Sequence, residues 1–240
     1  MKSMDDIAKS CVYCGRIAAE PTRDHIPPKS LFNKPRPANL ITVCACGCCN
    51  ERFRKDEDYF WLTLSSRSEA ARNPEAGDAS FRAIQNLARP EATGFRSAFL
   101  GTVRSLAVKT ASGLYVGNTL TYDVSFPRLN RMAAKITRGL FCFETKGLLA
   151  ANYLATARAL DQFTESPEDK NLQRHLQQLL AHAAAEQPHS VGRVFSYRFK
   201  RDPDDPQSSI TLFHIYETTA FLGLTIKRSD RPDKVWTEWA

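Results

Sequence analysis

The sequence has no apolar run approaching the roughly 20 residues that span a bilayer, which argues against a helical membrane protein. It has no internal repeat and no low-complexity tract, so repeat arrays and compositionally disordered chains are set aside. The segment from Met1 to Ser10 carries Asp5, Asp6 and Lys9 with no apolar centre, unlike a secretory signal. The expectation is a cytoplasmic protein with no membrane partner. Cysteine is nearly absent from the last three quarters of the chain, where only Cys142 occurs. The other six lie between Cys11 and Cys49. In a reducing compartment, such crowding points to a metal rather than to disulfides.

What is present is ordinary in bulk. Hydrophobic residues make up 42% and charged residues 25%, the balance of a soluble globular protein. With 240 residues, the chain can form one large domain or a small one joined to a medium one. The formal charge of +7 suits a polyanionic partner without requiring one.

Cys11-Val-Tyr-Cys14-Gly15 and Cys46-Gly-Cys-Cys49 are two CxxC knuckles. Two intervening residues let both thiolates reach one tetrahedral ion. Cys44 and Cys48 permit other pairings, but only Cys46 and Cys49 have the CxxC spacing, and Asn50 follows them directly. The expected ligands of a structural Zn²⁺ are therefore Cys11, Cys14, Cys46 and Cys49. Cys142, in the apolar run Leu140-Phe-Cys-Phe143, reads as a core residue.

Between the knuckles lies Thr22-Arg23-Asp24-His25-Ile26-Pro27-Pro28-Lys29, followed by Asn39-Leu40 and, after the second knuckle, Asn50-Glu-Arg-Phe-Arg-Lys55. Adjacent Asp and His at a strand end can point to different sides, one toward a metal and one toward a water. The ordered set CxxCG, DHIxP, NL and CxxCN plus a basic residue resembles the HNH (ββα-metal) endonucleases in their zinc-stapled form. The resemblance runs from Cys11 to Tyr59, about a fifth of the chain.

That resemblance implies His25 as general base, Asp24 as a metal ligand, Asn39 as the residue fixing the loop, and Asn50 as a second metal ligand. Asn50 stands where the family name implies histidine. An amide oxygen there is a hard donor suited to Mg²⁺ or a similar divalent ion. The implied reaction is phosphodiester hydrolysis, with double-stranded DNA as the expected partner and a homodimer as a possible assembly. Restriction or anti-phage defence is the biological setting that the resemblance suggests. Two rival readings are an RNA endonuclease and a zinc-stabilised nucleic-acid-binding protein without catalysis. Arg23, Lys29, Arg52 and Lys55 are candidate phosphate contacts.

The expected fold class is α+β, with an HNH module over 1–72 and a mixed α+β part of unassigned role over 79–240. A helix is predicted from near Asn50 through Phe53, Phe60 and Leu64. Asn73 to Asp78 reads as a boundary loop. Phe81–Leu87 and Phe95–Val108 read as helical, Leu114–Val124 as a hairpin, and Pro127 as the opening of an amphipathic helix. Glu168–Ala185 reads as a further helix, and strands are expected at Val194–Phe199, Ile210–Tyr216 and Phe221–Ile226. In the Pro127 helix, Arg128, Arg131, Lys135 and Arg138 align on one face, with Leu129, Met132, Ala133, Ile136 and Leu140 on another. No acidic residue occurs between Asp123 and Glu144, so the basic face is expected to meet solvent or a phosphate backbone. His175, His182, His189 and His214 show no ligand spacing. Trp61, Trp236 and Trp239 read as packing residues.

Overall fold

Pro21–Ile26 (β1) and Ile41–Cys46 (β2) pair antiparallel, and the chain turns at Cys46 directly into the helix Gly47–Ser65 (α1). The computed structural model describes residues 9–163, 170–230 and 237–238. Cys46 is the N-cap of α1, its sulfur accepting from the Cys49 N–H. On α1, Phe53, Phe60 and Leu64 are buried on the expected face. Full burial of each such side chain contributes about 1.5–3 kcal/mol.

Residues 73–78 are not a boundary loop. Pro74–Leu87 is a helix (α2), with Asn73 as its N-cap and its side chain accepting from the Glu75 N–H. Proline at the first position of a helix costs no hydrogen bond, and Asn is a favoured cap, so the Asn-Pro pair opens a helix here. The predicted helix over 95–108 ends early. Thr93–Leu100 is helical (α3), while Arg104–Lys109 (β3) pairs with Tyr115–Thr121 (β4) in a separate hairpin. Leu106, Val116 and Leu120 of that hairpin are exposed.

Phe126–Thr145 (α4) is the long helix expected from Pro127. It is followed by Tyr153–Ala159 (β5), Lys170–Ala184 (α5), His189–Val191 (β6), Phe195–Arg201 (β7), Ser209–Ile215 (β8), Thr219–Lys227 (β9) and Thr237–Glu238 (β10). The last six strands form one antiparallel sheet in the order β10-β5-β9-β8-β7-β6. Side chains alternate across it. Ile210, Leu212, Leu222 and Leu224 pack with Leu179, Leu180 and Ala183 of α5. Phe213, Ile215 and Phe221 turn the other way, into a core shared with α4 and α1. The architecture is α+β, as expected.

The 1–72 and 79–240 stretches share that core. One continuous buried cluster joins Cys11, Ile26 and Phe53 to Met132, Ala157 and Phe213. Two glycines let α4 sit this close on both sides. A Cβ at Gly139 would lie 2.5 Å from Ile26 Cδ1 of β1, and one at Gly223 of β9 would lie 2.0 Å from Thr137 Oγ1. The first 60 residues thus rest on a helix donated by the second half of the chain. Among the described residues, no helix is long and apolar enough to cross a membrane. Trp236 and Trp239 and the side chain of His175 lie outside the described residues.

Candidate active site and metal centre

The loop carrying Cys11 and Cys14 is built as a tight turn. Gly15 takes φ +71° and donates its N–H to the Cys11 carbonyl, while Cys11 N–H reaches back to the Arg16 carbonyl. Val12 N–H donates to Cys44 O of β2, which brings the first knuckle against the second. The sulfurs of Cys11, Cys14, Cys46 and Cys49 lie within 4.8 Å of one another. Around a tetrahedral ion with metal–sulfur bonds of about 2.3 Å, sulfurs sit about 3.8 Å apart. Cys14 Sγ and Cys46 Sγ are 3.9 Å apart. The cluster can hold a metal ion such as zinc.

Its electrostatics favour a thiolate at Cys14. Burial pushes that thiol up, but hydrogen bonds from Arg16 and from the Cys11 and Cys49 thiols outweigh it and bring the pKa down to about 6. Burial holds Cys11 and Cys49 above the ordinary thiol value. Cys44 is half-buried and Cys48 exposed, and neither joins the cluster. Cys142 is half-buried on α4, where burial pushes its thiol up to about 11.

Beside the cluster, β1 and the first turns of α1 enclose an open cleft of about 400 Å³, lined by Asp24, His25, Asn50 and Glu57, with Arg23, Lys29 and Arg54 among its rim. The buried face of β1 carries Asp24, only 5% exposed. Its Oδ2 accepts from Tyr13 O–H and from Lys135 Nζ, the latter at 2.9 Å. Tyr13 belongs to the first cysteine knuckle, so the metal cluster and Asp24 are one hydrogen bond apart. Tyr13 is buried against Asp24, which holds its phenol well above the ordinary value and keeps it a donor.

Comparison with known protein families, with curated proteins and with solved structures finds no match.

His25, half-buried, pairs in register with Thr42 of β2. Burial lowers its pKa, Lys29, Arg36 and Lys135 lower it further, and Asp24 opposes them. Asn50 lies one turn into α1. Its Nδ2 donates to Thr22 Oγ1 at 3.5 Å, and Thr22 in turn donates to the Ala45 carbonyl. The amide oxygen is therefore the atom that Asn50 keeps for the cleft.

Asn39 is not brought to this site. It lies exposed in the turn before β2 and does not line the cleft. In the same loop, Asn33 accepts from Arg82 at 2.6 Å and donates to the Glu75 carbonyl. Arg52 and Lys55 are exposed on α1 away from the cleft, whereas Arg54 faces it and pairs with Glu51 at 2.7 Å. Glu57, Tyr13, Arg36 and Arg54 are missed by motif reading. The helical period does place Arg54 and Glu57 on the Asn50 side of α1, at steps of four and three.

The solvent-facing basic stripe expected on α4 is corrected. Lys135 is fully buried between Asp24 and Glu57. Arg128 and Arg131 both pair with Asp56 of α1, at 2.7 and 2.8 Å. Arg138 donates to the Val12 carbonyl at 2.7 Å, with its charge disfavoured first by burial and then by Arg228. The neutralising acids come from α1 and β1, which no local window of α4 contains. Its apolar face is buried as expected, with Leu129, Met132, Ala133, Ile136 and Leu140 at 0–1% exposure. Trp61 is buried beneath Arg82, as a packing residue should be, and His182, His189 and His214 stay outside the cleft.

Proposed function

We propose that this protein is a metal-dependent endonuclease of the HNH (ββα-metal) type, acting on duplex DNA. The observation that carries the reading is the meeting of Asp24, His25 and Asn50 in one open cleft, on a hairpin and helix pinned by the four-cysteine cluster. The cluster is the structural Zn²⁺ site of that arrangement.

The donor set suits a hard divalent cation such as Mg²⁺. Tyr13 and Lys135 both occupy Oδ2 of Asp24, and among the described residues Oδ1 has no partner. Asp24 Oδ1 and the Asn50 amide oxygen are the two protein atoms that would hold the ion, with water and phosphate oxygens completing its shell. Such an ion supplies charge neutralisation at the phosphoryl group and stabilises the departing oxygen. His25, neutral at physiological pH because its environment lowers its pKa, accepts the proton of the attacking water. The water oxygen bonds to phosphorus as the bridging P–O bond breaks, and the leaving oxygen takes its proton from solvent. Arg23 and Lys29, exposed at the rim, hold the flanking phosphates.

Incubation of the full chain with plasmid, linear duplex, single-stranded DNA and RNA, with Mg²⁺ or Mn²⁺ and with EDTA, tests the reading. Duplex cleavage that needs the divalent ion and disappears in Asp24→Asn and Asn50→Ala is expected. Tight binding with no cleavage under any divalent ion would make the protein a nucleic-acid-binding module. Cleavage of RNA alone would overturn the substrate assignment.

A further inference from the structure

Beneath the carboxylates that line the cleft lies a cation of the protein's own. Lys135 projects from the middle of α4 and has no exposed surface. Its ammonium bridges Asp24 Oδ2 on β1 and Glu57 on α1. Behind it, the rings of Tyr13 and Phe53 lie 5.6 and 5.2 Å from Nζ. An ammonium is a compact point charge with three donors and no acceptor. Between two carboxylates on separate elements, it fills the kind of place where a divalent cation would otherwise settle. Both of its carboxylate partners line the cleft, but Lys135 does not. It is therefore no ligand of a bound ion and acts on one through Asp24, Glu57 and its own charge.

We propose that Lys135 is a positioning residue: its ammonium, fixed between Asp24 Oδ2 and Glu57, is an internal cation that turns Asp24 Oδ1 toward the cleft and withholds Glu57 from the divalent ion. This rests on the nuclease reading above. In that arrangement Asp24 Oδ1 and the Asn50 amide oxygen would be the protein atoms left to hold the ion. Burial pushes the Glu57 carboxyl up and Lys135 opposes that shift, as expected of a carboxylate whose counter-charge is the lysine. A purely structural ion pair makes a different forecast. Replacing a buried pair member by an apolar side chain of similar length would then alter stability and leave divalent binding unmoved.

The test is a Mn²⁺ titration of the zinc-loaded full chain at pH 8, followed by electron paramagnetic resonance, with cleavage rates measured in parallel. Wild type is expected to bind one Mn²⁺, lost in Asp24→Asn. In Lys135→Met, a positive charge is gone and Glu57 is released, so Mn²⁺ should bind at least about tenfold more tightly. Cleavage at saturating Mn²⁺ should nevertheless fall about 100-fold, because the ion is drawn away from its working position. Adding Glu57→Gln to Lys135→Met should remove the extra affinity. Glu57→Gln alone, with the lysine still in place, should leave Mn²⁺ affinity unchanged. Wild-type affinity together with wild-type cleavage in Lys135→Met would overturn the proposal and leave the nuclease reading intact. So would a tenfold weakening in Glu57→Gln, a result that does not depend on how Lys135→Met folds. A wild-type chain with neither Mn²⁺ binding at Asp24 nor cleavage would instead overturn the nuclease reading on which the proposal stands.

Discussion

As the proposed base, His25 lies among cations, and under the nuclease reading this would set the pH at which it accepts a proton. Burial comes first, then Lys29, with Arg36 and Lys135 acting in the same direction against Asp24. All but Asp24 favour the neutral ring. A base must be unprotonated to accept a proton, so a lowered pKa extends activity toward acid. The acid limb of kcat/KM should therefore fall below the ordinary imidazole value of about 6.5. Lys29→Gln removes one lowering charge and should move that limb upward. His25→Ala should reduce cleavage by at least about 100-fold and leave thermal stability and zinc content as in wild type. A pH–rate profile at fixed cation concentration checks both. A limb above 6.5 in wild type, or a near wild-type rate in His25→Ala, would remove His25 from the role of base.

At the scale of elements, the first knuckle does two jobs, since it offers two thiols to the metal cluster and Tyr13 to Asp24. Structural zinc binding in small sites is worth about 10–16 kcal/mol, which matches or exceeds the total stability of a typical domain. Cys46→Ser should therefore lose the ion, lower the melting temperature and abolish cleavage together. Tyr13→Phe should keep the ion while costing about 1.5–3 kcal/mol, the range for a hydrogen bond to a charged group. Elemental analysis with thermal melts separates the two, and a Cys46→Ser protein as stable as wild type would refute the cluster. This division also explains what the sequence made legible. The cysteine register, the place of Asp24 and His25 on a strand, α1 and the strands near residues 195, 210 and 221 are written in local spacing and could be read directly. Strand β5 was not, because Tyr-Leu-Ala-Thr-Ala-Arg-Ala is rich in alanine and poor in the β-branched and aromatic residues that mark a strand, and its polar Thr156 is buried with its neighbours. Asn33, which ties the loop before β2 to α2, makes its contacts 42 and 49 residues away, beyond any local motif. Lys135 failed for the same reason, since its partners lie on elements that no local window contains.

For the whole molecule, α4 is both the support of the cleft and the cover of the sheet, so packing on one side is felt on the other. Thr137 is fully buried and nearly touches Gly223, so Gly223→Ala should cost about 1–3 kcal/mol by overpacking, as read from denaturant melts, and Thr137→Ala in the same chain should return part of it. A Gly223→Ala chain as stable as wild type would show that α4 and the sheet are packed more loosely than this. The same placement of α4 decides where the protein's positive charge can meet a polyanion. Arg128, Arg131, Lys135 and Arg138 are engaged with Asp56, Glu57, Asp24 and the Val12 carbonyl, so the formal charge of +7 is not delivered through that helix. The cations at the cleft are Arg23 and Lys29 on its rim and Arg54, which is already shared with Glu51. Each phosphate neutralised by a side chain releases condensed counterions, so losing one contact lowers the salt slope of duplex binding by about one unit. Arg23→Gln with Lys29→Gln should thus lower the slope by about two and weaken binding across all sequences. Arg131→Gln should leave the slope unchanged, and its cost should appear as a lower melting temperature where α1 meets α4. Anisotropy titrations over a range of salt concentrations distinguish the two outcomes, and a slope that falls in Arg131→Gln but not in the rim variant would return the binding surface to α4.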